Sequence, residues 1–251
     1  MRNINKSFGP VDVLKDVQMS VYPGEVTALV GDNGAGKSTL VKCISGTYLI
    51  DSGDYLFEGR AVHPHTPRDA SALGIEVVYQ DLALCDNLDI VQNMFLGREK
   101  HHGPFLDESG MEEAAGKTLA SLSVRTVKSV RQRVSSLSGG QRQTVAIAKA
   151  VLWNSKVVVL DEPTAALGVA QTRQVLDLVR RLADRGLGVV LISHNMTEVL
   201  EVADRITVLY LGRSAAQVRR QDVNQQELVE LITTGGLSGR TLPTTTNEVP
   251  A

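Results

Sequence analysis

The amino-acid sequence predicts an α/β protein built on a mostly parallel sheet. Residues 25–30 have the composition of a strand, and a glycine-rich turn and a helix over 38–44 follow them. Two further runs, 157–160 and 189–192, are continuously apolar, which is typical of strands buried on both faces of a parallel sheet. An amphipathic helix that ends at Gly186 separates these two runs. This alternation of strands and helices indicates an α/β sheet.

The segments between these strands predict two smaller units. Residues 75–79 predict another strand, and 54–58 predict a strand of a small antiparallel sheet. The stretch from about 83 to 150 is mostly helical and interrupts the alternation, so we expect an inserted helical subdomain. Within it, Ser109 and Glu112 have the spacing of a capping box, which predicts a helix start at that point.

The C-terminal part predicts a hairpin and a last helix. Strand-like residues 206–211 and 214–218 flank a Gly-Arg pair, and 224–233 begin with a capping pattern. Beyond them the chain is rich in Gly, Ser, Thr and Pro. We therefore expect one domain over 1–235 and a flexible tail over 236–251.

The composition excludes several classes of protein. Of 251 residues, 26 are Lys or Arg and 28 are Asp or Glu, so the formal net charge of −2 indicates no basic surface for nucleic acid. Hydrophobic residues make up 43%, which allows a buried core. There is neither a run of roughly 18 apolar residues nor an apolar N-terminal segment, so we expect no membrane span and no secretory signal. Cys43 and Cys85 form no disulfide framework or metal-ligand pattern, which favours a reducing cytoplasm.

A glycine-rich loop carries the clearest chemical pattern. Residues 31–38 fit G-x-x-x-x-G-K-S between a predicted strand and a predicted helix, as in a P-loop NTPase. Backbone N–H groups of such a loop and the helix N-terminus attract phosphate, Lys37 reaches the outer phosphates and Ser38 can ligate Mg²⁺. The alternative is a strand–helix turn that binds nothing. The predicted phosphate-binding residues are Gly31, Asp32, Asn33, Gly34, Ala35, Gly36, Lys37, Ser38 and Thr39.

Two acidic residues follow the apolar run at 157–160. Asp161 stands at the end of a predicted buried strand, where a carboxylate can contact Mg²⁺. Glu162 comes next and is suited to act as the base that polarises an attacking water. The alternative is that these carboxylates only cap a helix. The phosphate loop favours the catalytic interpretation.

A second glycine-containing helix start lies at Leu137-Ser-Gly-Gly-Gln141. Small residues before a helical run over 144–153 again predict an anion site, formed by Ser138, Gly139, Gly140 and Gln141. One nucleotide needs only one such loop from its own chain. The second site is therefore free to face another chain.

Three motifs and their order in the chain resemble those of the ATP-binding subunit of an ABC transporter: the phosphate loop, Leu-Ser-Gly-Gly-Gln and Asp161-Glu162-Pro-Thr. The resemblance covers about 1–235. The resemblance implies ATP hydrolysis, with ATP and Mg²⁺ as ligands. Gln80 resembles the glutamine that contacts Mg²⁺ and relays the nucleotide state to the membrane subunit. His194 resembles the histidine that contacts the γ-phosphate, although a surface histidine is the alternative. Phe8 resembles the aromatic that stacks on adenine, although it could be an ordinary core residue.

Three further stretches resemble importers of monosaccharides such as ribose, xylose and fructose: Gly31-Asp-Asn-Gly-Ala-Gly, Val78-Tyr-Gln-Asp-Leu-Ala-Leu and Asn93-Met-Phe-Leu-Gly-Arg-Glu. Many members of that branch fuse two such halves, whereas this chain has one. The resemblance therefore implies an ATP-dependent homodimer, a transmembrane permease, an extracytoplasmic sugar-binding protein and no nucleic acid. It also implies a peripheral location on the cytoplasmic face of the cell membrane.

Other interpretations share the same motifs. An ABC exporter has the same core, and only the sugar-importer stretches argue against it. A DNA-repair or chromosome-organising ATPase would need a long coiled coil, and the sequence has no sustained heptads. A translation factor acting on the ribosome would carry two such domains.

One position departs from the family pattern, because Gly168 stands where Asp is usual. That Asp normally braces the dimer interface.

Overall fold

A computed structural model describes residues 1–122, 127 and 129–238 of the chain. The strands are β1 Arg2–Phe8, β2 Val11–Val17, β3 Val26–Gly31, β4 Ser52–Asp54, β5 Leu56–Phe57, β6 Arg60–Ala61, β7 Ile75–Val78, β8 His101–His102, β9 Phe105–Leu106, β10 Val157–Asp161, β11 Gly188–Ile192, β12 Arg205–Tyr210 and β13 Arg213–Arg219. The helices are α1 Lys37–Ile44, α2 Pro67–Ala72, α3 Ile90–Phe95, α4 Glu108–Ser121, α5 Gly139–Val151, α6 Val169–Asp184, α7 Met196–Val202 and α8 Gln225–Thr234. Short 3-10 helices lie at Val134–Ser136 and Arg220–Asp222.

The central sheet has the strand order β13-β12-β3-β11-β10-β7. Its strands are parallel except β13, which pairs with β12 in the antiparallel direction. The predicted mostly parallel α/β sheet is therefore confirmed. Asp161 pairs with Ile192, so β10 and β11 end at the same level and present the residues that follow them at one edge of the sheet.

Successive side chains of the central strands face opposite layers, as the pleat requires. Val158 and Leu160 of β10 are buried against α3, α4, α5 and α6. Val159 between them is buried on the other face, in a cluster with residues of α1, β1 and β2. This burial on both faces explains why the strand sequences read as continuous apolar runs.

The strand predicted over 54–58 is shorter than expected: β5 covers Leu56–Phe57 and lies in a small antiparallel sheet as predicted, whereas Asp54 ends β4. β4 pairs with β1 in a three-stranded antiparallel sheet, whereas β5 pairs with β6. Between them Tyr55 is buried, and its hydroxyl donates to the carbonyl of Ile44 at 2.9 Å. The carbonyl of Tyr55 accepts from the N–H of Val62 at 2.8 Å, so its backbone continues the pairing of β5 with β6.

Several element boundaries also differ from the predictions. The helix start predicted at Ser109 is wrong, since α4 begins at Glu108 and Asp107 caps it by accepting from the N–H of Gly110 at 2.9 Å. The hairpin turn consists of Leu211 and Gly212, which both have positive φ, so it lies one residue earlier than predicted.

The last predicted helix is confirmed as α8, capped by Asn224 and Glu227. It is followed by Ser238, whose hydroxyl donates to Glu230 at 2.6 Å. Residues 239–251 of the predicted tail lie outside the described residues. Among the described helices, none has both the length and the apolar character needed to cross a bilayer.

Candidate active site

The predicted phosphate loop connects β3 to α1. Gly36 is the N-cap of α1 and has a φ of 102°, a conformation that favours glycine. A Cβ at this position would lie 2.8 Å from Cδ2 of Leu14, so space also requires glycine. No side chain caps α1, so its first N–H groups remain available to an anion.

Lys37 lies in the first turn of α1 and points back over the loop. Its Nζ donates to the carbonyl of Gly31 at 2.7 Å and to that of Asp32 at 3.0 Å. Burial lowers the pKa of Lys37, and the charges of Glu162, Asp32 and Asp161 partly oppose that shift. The lysine thus stands where the loop meets the acidic pair.

The other predicted loop residues differ in exposure. Asp32 accepts from the N–H of Asn33 at 2.7 Å, and Ser38 is exposed in the first turn of α1. Ala35 is buried, and Thr39 is half-buried. Gly34 is exposed with a φ of 82°, and a Cβ there would meet nothing within 4 Å. The loop therefore has an open outer side.

Asp161 and Glu162 stand at the carboxyl end of β10. Burial raises the pKa of Asp161, the neighbouring charge of Glu162 raises it further, and Lys37 acts in the opposite direction. Glu162 has a φ of 47°, and its N–H donates to the carbonyl of Ile192 at 3.0 Å. A left-handed conformation at a non-glycine residue is costly and is often found at functional sites.

His194 follows β11, the neighbour of β10 in the sheet. Its Nδ1 lies 3.4 Å from Oε1 of Glu162, while 69% of its side chain is exposed. The structure thus brings together two residues that are 32 positions apart in the sequence. Gln80 lies two residues beyond the end of β7 and is exposed.

Sequence reasoning missed Glu198, in the first turn of α7. This carboxylate accepts from the hydroxyl of Thr164 at 2.6 Å and from Nδ2 of Asn195 at 3.0 Å. The hydroxyl of Ser193 also donates to it, at 3.3 Å. The available signal was an acidic residue four positions after His194, and that spacing alone does not reveal a contact across two strands.

The predicted second anion site starts α5. Ser138 is the N-cap and forms a capping box with Gln141, whose side chain accepts from the N–H of Ser138 at 2.9 Å. Gly139 and Gly140 pack closely, because Cβ atoms there would lie 3.3 Å from Leu167 and 3.1 Å from Gln171. In the described part of the chain, no hydrogen bond joins Ser138 to the phosphate loop.

Phe8 lies at the end of β1, where 42% of it is exposed. Its ring makes an edge contact with Tyr48 at a centroid distance of 5.1 Å, and Nζ of Lys6 lies 5.3 Å from its centroid. Phe8 is therefore a surface aromatic and not a core residue.

Comparison with known proteins places this arrangement in a family. The family model described as ABC transporter matches residues 14–165. The xylose/arabinose import ATP-binding protein XylG of Sulfolobus acidocaldarius is 48% identical over 94% of each chain. The fructose import ATP-binding protein FrcA of Rhizobium meliloti is 45% identical over 92% of each chain. The ribose import ATP-binding protein RbsA 2 of Escherichia coli O157:H7 is 42% identical over 92% of this chain, which spans 46% of that longer protein.

Solved structures agree in fold. A nucleotide-free ATP-binding cassette from an ABC transporter superposes with a TM-score of 0.78 at 29% identity, covering 87% of this chain and 89% of that one. The ADP conformation of MJ1267, an ATP-binding cassette of an ABC transporter, gives a TM-score of 0.78 at 28% identity over 93% of both chains. By its sequence and its fold, the chain belongs to the ABC transporter family, as one of its ATP-binding cassettes.

Proposed function

We propose that this chain is the ATP-hydrolysing subunit of an ABC importer, energising uptake of a monosaccharide through a partner permease. The observation that carries the ATPase assignment is the grouping of Lys37, Asp161, Glu162 and His194 at the carboxyl ends of β3, β10 and β11. Ligands of open α/β sheets bind at this edge. Relatives named for import of xylose/arabinose, fructose and ribose support the sugar assignment.

The phosphate loop would bind the phosphates of ATP. The uncapped start of α1 offers N–H groups and the positive end of the helix dipole. Lys37 now donates to two loop carbonyls, and a phosphate oxygen is a stronger, charged acceptor. Because burial lowers its pKa, a bound anion would favour its charged form. Phe8 would offer its exposed ring to adenine.

The residues present fit Mg²⁺, which prefers oxygen ligands and keeps several waters. Ser38, Gln80 and Asp161 supply a hydroxyl, an amide and a carboxylate. Burial and, after it, the charge of Glu162 raise the pKa of Asp161, and a bound cation would offset both effects. Among the described residues, no cluster of three or more His, Cys, Asp or Glu could hold a metal ion by itself. Mg²⁺ would neutralise charge on the phosphate oxygens.

Glu162 would orient and deprotonate the attacking water. Its N–H donates to the carbonyl of Ile192, which holds its backbone at the edge where β10 and β11 end. His194, 3.4 Å away, would contact the terminal phosphate. Positioned proton transfer of this kind contributes about 10²- to 10⁴-fold to a rate.

A second copy of the chain would complete each site. In this arrangement Ser138, Gly139, Gly140 and Gln141 of one copy face the nucleotide bound by the phosphate loop of the other. Closure of the homodimer on ATP would drive the permease, and an extracytoplasmic binding protein would deliver the sugar. The chain would then lie on the cytoplasmic face of the membrane.

Replacing Glu162 tests the ATPase assignment. Glu162→Gln keeps the shape and removes the base, so we expect ATP binding to persist while turnover falls about 10²- to 10⁴-fold. Glu113→Gln is the control, since Glu113 pairs with Lys117 on an exposed helix face. Binding is measured with a fluorescent ATP analogue and turnover by phosphate release. Wild-type turnover by Glu162→Gln would remove Glu162 from this role.

Reconstitution tests the sugar assignment. The chain is purified with the permease that co-purifies with it, placed in vesicles with the cognate binding protein, and supplied with labelled pentoses and hexoses. We expect ATP-dependent accumulation of a monosaccharide. Movement of another compound out of the cytoplasmic compartment would identify an exporter instead.

A further inference from the structure

We propose that Glu198 is a positioning residue that fixes His194 against Glu162 across the ends of β10 and β11, an inference that rests on the proposed ATPase function. The turn after β10 contains Glu162 and Thr164, and the turn after β11 contains Ser193 and His194. A single carboxylate bonds to both turns. It lies on α7, outside the predicted nucleotide-binding motifs.

The contacts of Glu198 bridge two strands. Oε2 accepts from the hydroxyls of Thr164 at 2.6 Å and Ser193 at 3.3 Å. Oε1 accepts from Nδ2 of Asn195 at 3.0 Å. Thr164 and Ser193 are both buried, so their hydroxyls depend on this acceptor. Hydrogen bonds to an ionised carboxylate are stronger than neutral ones.

His194 depends on its neighbours for its position. Its side chain is 69% exposed, and its contact with Glu162 is long at 3.4 Å. The residues on either side of it are both held, because Ser193 and Asn195 donate to Glu198 and the N–H of Asn195 donates to the hydroxyl of Ser193 at 3.0 Å. The backbone of His194 is therefore fixed from both sides by one carboxylate.

Glu162 is held by the same network. Its left-handed backbone is bonded to Ile192 on one side, and Thr164 ties the following turn to Glu198 on the other. Loss of Glu198 would free both turns together. A displacement of about 1 Å between catalytic groups can cost roughly 10²-fold in rate.

A purely structural role for Glu198 predicts different behaviour. Asn195 already caps α7 by accepting from the N–H of Thr197 at 3.1 Å, and an acid in the first turn adds favourable helix-dipole energy. If that were all, removal of Glu198 would lower stability and leave turnover per folded molecule unchanged. Turnover per folded molecule therefore distinguishes a positioning role of Glu198 from a purely structural one.

The first test is Glu198→Ala in the full chain. We expect kcat to fall roughly 10- to 100-fold with nucleotide affinity changed less than about 2-fold, because the phosphate loop is untouched. Glu198→Gln keeps one acceptor oxygen and should recover part of the loss. Glu201→Ala is the control, since Glu201 lies on the same helix and pairs with the exposed Arg173. It should retain wild-type kcat.

The decisive test is a double-mutant cycle with His194→Ala. If Glu198 acts by holding His194 against Glu162, Glu198→Ala should cost clearly less in the His194→Ala background than in the wild type, because only its effect on the Glu162 turn remains. An undiminished further loss would overturn the proposal and leave Glu198 a structural residue. Wild-type kcat in Glu198→Ala alone would also overturn it.

Substitutions of Thr164 test the same hydrogen-bond network while the Glu198 carboxylate stays in place. Thr164→Val preserves shape and removes the donor to Glu198, whereas Thr164→Ser keeps the hydroxyl. We expect Thr164→Val to reduce kcat without loss of nucleotide affinity and Thr164→Ser to restore it; equal rates for the two would contradict the proposal. Wild-type turnover by His194→Ala would instead break the catalytic assignment of the proposed function.

Discussion

Two helix starts, those of α1 and α5, follow glycine-containing segments and yet are built differently. The glycines before each helix predict an anion site at both. At α1 the N-cap is Gly36, and no side chain caps the helix. At α5 the N-cap is Ser138, and it forms a closed capping box with Gln141. A glycine N-cap leaves the N–H groups to a ligand, whereas a serine N-cap satisfies part of them from within the chain.

The surroundings of the two helix starts differ as well. The loop before α1 lies beside Lys37, Asp161 and Glu162, so its charges suit a phosphate and a metal together. Ser138 has its capping partner and is exposed. Under the proposed function, the start of α1 would bind the chain's own nucleotide, and the start of α5 would face the nucleotide of another copy.

Removing Lys37 from the helix start of α1 should have the largest effect on turnover. Lys37→Ala deletes the cation of the open helix start, and we expect ATP turnover to fall roughly 10²- to 10³-fold. Lys117→Ala is the matched control, because Lys117 forms an exposed i,i+4 pair with Glu113. Phosphate release and nucleotide binding are measured for both. Wild-type turnover by Lys37→Ala would refute the role of this loop.

Mixing two inactive variants tests whether the capped helix start serves the partner's nucleotide. Lys37→Ala and Ser138→Arg should each be inactive, because every site of either homodimer is damaged once. A mixed dimer has one site with both defects and one intact site. Some ATPase activity should therefore reappear on mixing.

A monomeric enzyme offers no such rescue. Full activity of Ser138→Arg alone would show that this segment does not serve the nucleotide. If mixed dimers are demonstrated and remain inactive, crosslinking of position 138 to the partner's phosphate loop in the presence of ATP decides between two causes. A crosslink means that both sites must act together, and its absence means that the dimer geometry is different.

The cap itself should be measurable as stability. Ser138→Ala removes the acceptor for the N–H of Gln141, and we expect the free energy of unfolding to fall by about 1 kcal/mol. For a chain of this size, that corresponds to a decrease of roughly 2–4 °C in Tm. Ser121→Ala is the control, because Ser121 lies at the exposed end of α4, where it donates to the carbonyl of Thr118 and accepts from Arg185 and caps no helix start. An equal loss in both variants would contradict the capping role.

Sequence predicted the sheet well because burial on both faces leaves long apolar runs, as in β10 and β11. It was less accurate at local boundaries. Strand pairing changes at Tyr55, whose hydroxyl donates to Ile44, 11 positions earlier. Asp107 takes the cap that the spacing assigned to Ser109, because both residues offer a side-chain oxygen at capping distance in sequence and only the backbone geometry selects Asp107.

Part of the candidate site could be predicted from the sequence, and part could not. Lys37, Asp161 and Glu162 stand in motifs whose spacing reflects local geometry, so their neighbourhood could be predicted. The network of Glu198 could not, because Thr164 and Glu198 are 34 positions apart and meet only through the pairing of β10 with β11. The positive φ of Glu162 likewise depends on its bond to Ile192.

A third helix start, that of α6, is also uncapped, and changing it should have the smallest effect. Gly168 is the N-cap of α6, with a φ of −74° that any residue can adopt, and it supplies no side-chain cap. A Cβ there would meet nothing within 4 Å, so substitution is free of strain. Gly168→Asp would add a carboxylate that can accept from the first N–H groups and complement the helix dipole.

We expect Gly168→Asp to raise the free energy of unfolding by about 0.3–1 kcal/mol, or roughly 1–4 °C in Tm. Gly168→Asn separates the cap from the charge, and Gly168→Ala, which has no acceptor, should give no gain. ATP affinity should stay unchanged, because the phosphate loop is not touched. Turnover should change if position 168 acts across the proposed dimer. A gain in stability with unaltered turnover would show that an uncapped helix start at α6, unlike the one at α1, has no functional use.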